Sequence, residues 1–349
     1  MRIGIVSPGY PPTTGGVEVV VARTARALAR TGHTVEVLAA ERRRDLPAVS
    51  DDDGVVIRRF RSTRSANFPV APGLWRHVRE SDYDVLHGHG YHTLAALGAT
   101  LAAPRTRFVF SPHYHGTGHS PARAALHVVY RPIGQAGFRR AAAVVCVSEA
   151  EAGLVRAHFP FVAGRIHVVP NAVDVTAIRA AAPFPSTVPI VLSVGRLERY
   201  KRVDRLIRAF ALVRERAELV IIGDGPDRDR LAELARGNEI RLLGRVSDDE
   251  LHRWYRSARV VGSLSEHEAF GLTAAEGIVA GSSVVLSDIP AHREFGVGEL
   301  VSTDATDAEV AAALTRALTG PVPPAVEIPS WDDVAAELVA LYENARVMA

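Results

Sequence analysis

The sequence has very little cysteine and lysine, and it has no long hydrophobic run. Cys146 is its only cysteine, so an internal disulfide is excluded, and its place in an apolar run predicts a small core residue. No stretch reaches the roughly 18 consecutive apolar residues that a membrane-spanning helix needs. The start of the chain lacks the basic, apolar and cleavage segments of a signal peptide, so we expect a cytoplasmic protein.

The positive and negative charges of the sequence nearly cancel. The formal net charge is only +2, which does not predict a nucleic-acid partner. The basic residues are nearly all arginine, and Lys201 is the only lysine. This lysine is either a chance survivor of a bias toward arginine or marks a position that needs a point-like ammonium group.

An arginine-rich stretch near the N-terminus predicts either a solvated surface or a contact with an anionic membrane. Because no amphipathic apolar face accompanies the arginines, the solvated surface is the favoured interpretation and a peripheral membrane contact is not. The stretch comprises Arg42, Arg43, Arg44, Arg58, Arg59, Arg61 and Arg64.

What the sequence does contain is typical of a globular α/β protein. Its 349 residues suit two domains, and 47% of them are hydrophobic. The segment 2–7 reads as a strand, the glycine-rich turn PGYPPTTGG follows, and residues 17–30 carry apolar residues near helical spacing before a strand over 34–39. This βαβ unit predicts a parallel sheet covered by helices. Further strands are predicted over 84–86, 108–110 and 144–147.

A second alternating series begins near residue 189. Strands are predicted over 190–194, 218–222, 240–243, 260–264 and 283–286, and helices over 203–214, 228–236, 248–257 and 273–280. Residues 180–189 contain three prolines, which is typical of a linker. We therefore predict an N-terminal domain over 1–182 and a second domain over 183–330. The last segment, 331–349, carries a helix that either stays with the second domain or crosses back to the first.

The loop after the strand at 190–194 reads GRLERYKR, in which Arg196 and Lys201 lie five residues apart. Ligands of open parallel sheets bind beyond the carboxyl ends of the strands, and two such domains facing each other form a cleft. A diphosphate leaving group gains negative charge and needs cations beside it. Arg196 and Lys201 are therefore candidates for binding it, the alternative being a solvated helix start.

The segment SEHEAFGLTAAEG combines two acids with a glycine at a predicted helix start. Free amides near Gly271 and Leu272 would face an anion or a sugar oxygen. Glu276 would lie about one turn inside that helix, and carboxylates accept hydrogen bonds from the paired hydroxyls of sugars. Taken singly, Glu268 and Glu276 are equally well explained as surface acids near a helix start.

Together these segments resemble the motifs of glycosyltransferase family 4, retaining enzymes of the GT-B fold. Glu268 and Glu276 match the two acids of its E-x7-E motif, and GRLERYKR is similar to its G-R-L…K loop. The segment from Gly15 to Glu18 resembles its N-terminal glycine loop, and VVPNAVD resembles P-N-G-V-D with Ala172 in place of glycine. The resemblance covers essentially the whole chain. It implies two Rossmann-like domains that face an interdomain cleft.

The resemblance also implies residue roles. Arg196 and Lys201 would hold the donor diphosphate, and Glu276 would bind the ribose hydroxyls. Glu268 and the amides of Phe270, Gly271 and Leu272 would bind the transferred sugar and its phosphate. Gly16 would bring its amide to the phosphate, and Arg245 and Val246 would border the nucleobase. Ala269 stands where family members often have glycine, and its methyl group beside the donor sugar would narrow the choice of donor.

Histidines follow two of the predicted N-terminal strands. His113 follows the strand at 108–110 and matches the family histidine near the reacting carbon. His87, His89 and His92 have a spacing that suggests a metal site, but no carboxylate or cysteine completes the set, so we expect no metal and no other cofactor. The acidic run Asp51-Asp52-Asp53 could mimic the D-x-D of metal-using transferases, and a solvated loop is the better interpretation.

The sequence thus predicts a metal-independent, retaining hexosyltransferase that moves a sugar from a UDP- or GDP-sugar to a hydroxyl acceptor. The acceptor would be a small molecule, a glycan or a lipid-linked sugar, bound by the loops over 61–75 and 113–119. Two alternatives are a nucleotide-sugar epimerase of the same fold and a catalytically silent nucleotide-sugar-binding partner. The E-x7-E segment argues against the first, and the intact set of Arg, Lys, Glu and His argues against the second.

Overall fold

The computed structural model describes residues 1–13, 15–41, 43, 45–63, 70–91, 93–116, 121–237, 239–324 and 326–345, without the side chains of 121–129 and 131. Its internal contacts divide the chain into two compact units. The first consists of Met1–Asn171 with the segment from Trp331 onward, and the second of Ala172–Ser330.

The first unit is built on a largely parallel sheet, which has eight strands among the described residues. The strands are β1 Arg2–Ser7, β2 Thr34–Glu41, β3 Val49–Asp52, β4 Val55–Arg61, β5 Val85–His89, β6 Arg107–Ser111, β7 Ala143–Cys146 and β8 Ile166–Val168. Their order is β3-β4-β2-β1-β5-β6-β7-β8, and only the β3–β4 pair is antiparallel. The central strand β1 is apolar and buried, as expected for a parallel strand covered on both faces.

Helices connect these strands. They are α1 Gly16–Arg30, α2 Pro72–Arg79, α3 Leu94–Ala102, α4 Pro121–Arg140 and α5 Glu149–His158. Of these, α3 and α4 begin beyond the sheet edge where the histidines lie, at the carboxyl ends of β5 and β6. A short 3-10 turn over Pro160–Arg165 precedes β8. Cys146 is fully buried at the end of β7, as the sequence predicts for a small core residue.

The second unit repeats the arrangement with a parallel sheet of six strands in the described residues. The strands are β9 Ile190–Val194, β10 Glu218–Ile222, β11 Ile240–Gly244, β12 Ala258–Ser263, β13 Ser283–Ser287 and β14 Glu299–Val301, in the order β11-β10-β9-β12-β13-β14. The helices are α6 Val175–Ala180, α7 Val203–Phe210, α8 Arg228–Leu234, α9 Asp248–Ser257, α10 Leu272–Ala280, α11 Pro290–Arg293 and α12 Asp307–Thr319. Because β9 lies between β10 and β12, the loops that follow these three strands are neighbours.

The boundary between the units lies earlier in the chain than the prolines suggested. The sequence placed it between residues 182 and 183, whereas the contacts place it after Asn171. The reason is α6, whose Ile178 is fully buried in the core of the second unit together with Val173. Apolar burial therefore decides the boundary, and the proline-rich segment is a connection inside the second unit.

The final helix, α13 (Trp331–Asn344), belongs to the first unit. Tyr342 is fully buried and its hydroxyl lies 2.7 Å from Nδ1 of His87, while Asp332 accepts a hydrogen bond from Arg30 at 2.6 Å. The crossing back that the sequence left open is thus the arrangement observed. Among the helices of the described residues, none has the length and apolar character that spanning a membrane requires.

The acidic run at 51–53 is exposed at Asp51 and Asp53, as the sequence predicted, but it is not a loop throughout. Asp51 and Asp52 lie in β3, and Asp52 accepts hydrogen bonds from the Tyr10 hydroxyl at 2.7 Å and from Arg26. Asp53 adopts a left-handed conformation in the turn to β4, with φ of 56°. The run therefore anchors the edge hairpin to α1, because Asp52 bonds the Arg26 side chain of that helix.

Candidate active site

The loop after β9 is held against the loop after β10. The amide of Leu197 donates to the carbonyl of Asp224 at 3.0 Å, and the amide of Asp227 donates to the carbonyl of Leu197 at the same distance. Glycine permits this approach, because a Cβ on Gly225 would lie 2.5 Å from the Leu197 carbonyl oxygen. The GDGP turn therefore fixes the segment that carries Arg196 and Lys201.

Lys201 and Glu268 form an ion pair between the loops that follow two adjacent strands. The Nζ atom lies 2.7 Å from Oε1, and the two side chains are only 22% and 17% exposed. Burial by itself would lower the pKa of Lys201, but the charge and hydrogen bond of Glu268, together with the charges of Tyr200 and Glu198, raise the pKa above its ordinary value. Burial would raise the pKa of Glu268, but the Lys201 charge and a Ser265 hydrogen bond lower it overall. Both groups are therefore ionised at neutral pH.

Arg196 belongs to the same charged neighbourhood but points toward water. Its side chain is 54% exposed and pairs with Glu198. Burial raises the pKa of the Tyr200 hydroxyl, which also senses the charges of Lys201, Glu268, Glu198 and Arg196. The structure thus brings Lys201 and Glu268 into direct contact, and it leaves Arg196 beside them with an exposed guanidinium group.

Gly271 starts α10 at the edge of this cluster. It is the N-cap residue and adopts a left-handed conformation, with φ of 100°, which favours glycine. A glycine N-cap has no side chain with which to cap the first helical amides, so the amides of the first turn are suited to binding an anion. The predicted anion-binding segment, Phe270 to Leu272, therefore forms this helix start.

Glu276 lies one turn further along α10 and is oriented by a neighbouring helix. Its Oε2 atom accepts a hydrogen bond of 2.6 Å from the hydroxyl of Tyr255, which is fully buried on α9. The helix itself is tied to β9 by Thr273, whose hydroxyl donates to the Val194 carbonyl at 3.0 Å. A carboxylate held at one oxygen in this way presents a defined acceptor.

Arg245 and Val246 follow β11, at the end of the sheet beside β10. The Arg245 side chain is exposed and lies 4.0 Å from Asp224, and Val246 packs at the edge of the apolar core. Both therefore stand on the loop next to the GDGP turn. Their predicted contact with a nucleobase stays a prediction.

The histidines of the first unit form a buried cluster at the ends of β5 and β6. Nδ1 of His89 lies 3.0 Å from Nε2 of His113, and the rings of His87 and His89 approach to 4.3 Å between centroids. Burial lowers the pKa of His113 to about 4. The pKa of His87 falls to about 3, mainly because of burial and further because its protonated ring and that of His113 would repel each other. These imidazoles are therefore neutral hydrogen-bonding groups at pH 7.

His113 is held in an unusual backbone conformation. Its φ of 48° is uncommon for a residue other than glycine. Glu151, which is buried on α5, accepts hydrogen bonds from the amides of Tyr114 and Val147. Burial raises the pKa of this carboxyl to about 7. The loop that carries His113 is thus fixed by a buried acid, and backbone strain of this kind is frequent at functional sites.

Gly16 is the first residue of α1, and a Cβ at this position would meet nothing within 4 Å. At the preceding Gly15 a Cβ would lie 2.2 Å from a carboxylate oxygen of Glu18, so that side chain would have to move. The open face at Gly16 fits the predicted approach of its amide to a ligand.

Comparison with known proteins identifies the family. The family model described as Glycosyltransferase Family 4 matches residues 14–177, and that described as Glycosyl transferases group 1 matches residues 174–327. A phosphatidyl-myo-inositol mannosyltransferase of Mycolicibacterium smegmatis is 31% identical over 99% of this chain and 94% of its own length. The chain belongs to glycosyltransferase family 4. It is an enzyme of the glycosyltransferase class.

Two further similarities bear on this glycosyltransferase. The GDP-mannose:cellobiosyl-diphosphopolyprenol alpha-mannosyltransferase of Komagataeibacter xylinus is 29% identical over 96% of this chain and 91% of its own length. The solved structure of HepE from Anabaena in complex with UDP-glucose superposes with a TM-score of 0.72 at 18% identity, covering 100% of this chain and 99% of that one. The predicted GT-B fold class is thereby confirmed.

The described part of the glycosyltransferase holds no group of three or more His, Cys, Asp or Glu side chains placed to bind a metal ion. The expected metal independence nevertheless stays a prediction. Several predicted residues lie outside the described part of the chain, as do residues 64–69 of the first predicted acceptor loop and 117–119 of the second. The predicted residues concerned are His92, His119, Arg42, Arg44 and Arg64.

Sequence reasoning missed two residues of this enzyme's candidate site. Tyr255 orients Glu276, and His292 lies fully buried beside Gly271. His292 follows β13, so the rule that ligands bind beyond the carboxyl ends of strands could have singled it out. Tyr255 gave no such signal, because it lies at an ordinary apolar position of an amphipathic helix.

Proposed function

We propose that this glycosyltransferase transfers a sugar, with retention of the anomeric configuration and without a metal ion, from a UDP- or GDP-sugar to a hydroxyl acceptor. The K. xylinus relative is named for GDP-mannose, and the Anabaena neighbour was solved with UDP-glucose. Both donor bases therefore remain candidates.

The observation that carries this proposal is the Lys201–Glu268 pair beside the glycine-capped start of α10. A cation and a helix N-terminus at one place favour a multiply charged anion, and a diphosphate is such a group. Arg196 adds an exposed guanidinium that can form two parallel hydrogen bonds to phosphate oxygens. The three groups together would stabilise the charge that develops as the diphosphate leaves.

The carboxylates of this site are poor candidates for acid catalysis. A general acid needs a raised pKa, whereas Lys201 holds the pKa of Glu268 below its ordinary value. Glu276 already accepts a hydrogen bond from Tyr255. These features support binding roles for both acids, Glu268 toward the transferred sugar and Glu276 toward the ribose hydroxyls.

We therefore assign proton transfer to the leaving diphosphate. The acceptor oxygen forms a bond to the anomeric carbon on the face from which the diphosphate departs, and the bond from that carbon to the phosphate oxygen breaks. The acceptor proton passes to a diphosphate oxygen. His113, a neutral imidazole, would hydrogen-bond a sugar hydroxyl without adding charge.

Slow hydrolysis of the donor tests retention without knowledge of the acceptor, because water then takes the acceptor's place. The protein is incubated in a chelating buffer with UDP-glucose or GDP-mannose, and early NMR spectra record the anomer that is released. Both donors are α-linked, so retention releases the α-anomer before mutarotation. Release of the β-anomer would refute retention, and hydrolysis that needs added metal would refute metal independence.

Binding is tested separately by thermal unfolding with UDP, GDP and their sugar conjugates. A ligand at a hundred times its dissociation constant adds about 2.7 kcal/mol to the free energy of unfolding. Lys201→Ala should abolish that stabilisation. The matched control is Arg236→Ala, which removes a cation that is 76% exposed on the same unit and should bind like the wild type. A wild-type protein that no nucleotide stabilises would contradict the proposed donor site.

A further inference from the structure

His292 is a fully buried imidazole that the proposed mechanism does not use. It lies in the short helix α11, and its Nδ1 atom is 2.9 Å from the carbonyl oxygen of Ser287. A carbonyl oxygen can only accept, so Nδ1 carries the proton. Burial lowers the pKa of His292, so the ring is neutral and its Nε2 atom is a bare acceptor.

That Nε2 atom has no hydrogen-bond partner although it is buried. A buried acceptor without a partner destabilises the folded protein, so an unpaired Nε2 at this position indicates a ligand that pairs with it. The ring edge faces the start of α10, since a Cβ on Gly271 would lie 3.1 Å from Cδ2 and 3.3 Å from Nε2. Gly271 thus leaves free a space against this ring edge that a Cβ would fill, and the Phe295 ring borders the same space.

The surroundings of Nε2 are those of the donor site. The charges of Glu268 and Lys201 both act on the pKa of His292, which places the ring within their electrostatic reach. The Ser287 hydroxyl that adjoins Nδ1 donates to the carbonyl of Ser265, the residue whose side chain bonds Glu268. His292 is thus part of one connected network with the acid that we assign to the transferred sugar.

We propose that Nε2 of His292 accepts a hydrogen bond from a hydroxyl of the transferred sugar and so helps to select the donor. An ionised phosphate has no hydrogen to donate, whereas every hexose hydroxyl has one. The inference rests on the proposed function, because it needs a sugar donor at this helix start. A site built to pair with a hydroxyl discriminates strongly against an analogue that lacks it.

Two substitutions separate the roles of the two ring nitrogens. The amide of His292→Asn can replace Nδ1 as donor to Ser287 but offers nothing at the position of Nε2. The longer His292→Gln can place an acceptor oxygen near the Nε2 position. His292→Phe is a further variant that removes the lone pair and fills the space of the ring. Thermal unfolding of each variant establishes that it is folded.

Calorimetric titration with UDP, UDP-glucose, GDP and GDP-mannose then measures what the sugar contributes. For whichever base the wild type binds, His292→Asn and His292→Phe should each bind the sugar conjugate about tenfold more weakly, with unchanged affinity for the bare diphosphate. His292→Gln should keep much of the wild-type affinity for the conjugate. An equal loss for diphosphate and conjugate, or no loss at all, would overturn the proposal. A wild type that binds none of the four would instead refute the donor site itself.

Conjugates that lack single hydroxyls identify the partner. The analogue without the bonded hydroxyl should bind the wild type about tenfold more weakly than its parent, and it should show no such difference with His292→Asn. If every deoxy analogue loses the same affinity in both proteins, then His292 contacts no sugar hydroxyl and the inference fails.

Discussion

The two units share a parallel α/β plan but place opposite kinds of chemistry beyond their strands. In the second unit the loops after β9 and β12 carry full charges, with Lys201 paired to Glu268 and Arg196 to Glu198. In the first unit the segments after β5 and β6 carry neutral imidazoles, since burial lowers the pKa values of His89 and His113. A similar scaffold therefore supplies charges where a diphosphate is expected and uncharged hydrogen-bonding groups where hydroxyls are expected.

Both sites contain residues whose backbone is in the left-handed region. The charged site has glycine at two of its left-handed positions, Gly223 and Gly271, and a non-glycine residue at a third, Arg202, which follows Lys201. The histidine site puts a non-glycine residue, His113, into that region and holds it with the buried Glu151. Uncommon backbone therefore occurs beside both sites, at Arg202 in the second unit and at His113 in the first, and such strain is frequent at functional sites.

The largest effect on turnover is expected from removing the positive charge of Lys201 in the second unit. Lys201→Ala should lower turnover by roughly a hundredfold to a thousandfold, because it removes a charge that stabilises the leaving group. It should also destabilise the protein, since Glu268 is left in a poorly solvated position without its partner. Donor hydrolysis and thermal unfolding measure the two effects.

Arg196→Ala is the internal comparison for that experiment. It should lower turnover by about a hundredfold but leave the unfolding temperature nearly unchanged, because an exposed ion pair contributes little to stability. Unchanged turnover in this variant would remove Arg196 from the site.

Replacing His113, a neutral imidazole of the first unit, should lower catalysis without weakening donor binding. His113→Asn tolerates the left-handed backbone and should lower turnover by about a hundredfold, while the stabilisation by a bare nucleoside diphosphate stays as in the wild type. If the substitution weakens diphosphate binding as much as Lys201→Ala does, the division of roles between the units is wrong.

The buried acid of the first unit predicts a pH dependence of stability. The pKa of Glu151 is raised by burial to about 7 in the folded protein, so folding favours its protonated form. The free energy of unfolding should therefore fall as the pH rises from the ordinary carboxyl range to about 7, by roughly 3 kcal/mol in total.

Chemical denaturation at a series of pH values checks this expectation, with Glu151→Gln as the comparison. The substitution shifts the stability at every pH because an amide cannot accept from both backbone amides, but it should remove this component of the slope. A slope that is unchanged in Glu151→Gln would assign it to other groups.

The smallest effect is expected at Tyr255. Tyr255→Phe removes the hydroxyl that orients Glu276 and should weaken nucleotide binding by a few-fold, in keeping with one hydrogen bond. Titration with the preferred diphosphate measures it. A larger loss would mean that Tyr255 also supports the fold of α9 and α10.

Much of this architecture follows from local pattern. The apolar runs at 190–194 and 218–222 coincide with β9 and β10, because strands buried on both faces need continuous apolar residues. The edge strand β3 was not predicted, since its acids hide the apolar pattern. It pairs with β4, and Asp52 bonds Tyr10 and Arg26, which lie far away in the sequence. Edge strands have one partner and half the burial, so their sequences are less constrained.

Most residues of the candidate site could be predicted from the sequence, but the contacts between them could not. Arg196, Lys201, Glu268 and Glu276 stand out in the sequence because their spacing from strand ends and glycines is local. The contact of Lys201 with Glu268 joins residues 67 positions apart and depends on the adjacency of β9 and β12. Spacing along the chain shows which groups are available, and sheet order shows which of them meet.

The amino-acid sequence by itself determined that this protein has two α/β series, where their glycine turns and strand ends lie, and to which enzyme family it belongs. These features depend on short segments of the chain, in which local propensity and apolar periodicity decide the structure. Only the tertiary structure decided that α6 packs in the second unit and that Tyr342, 255 residues away, bonds His87. Such choices depend on which apolar surfaces bury one another, and burial is settled between segments that the chain does not hold together.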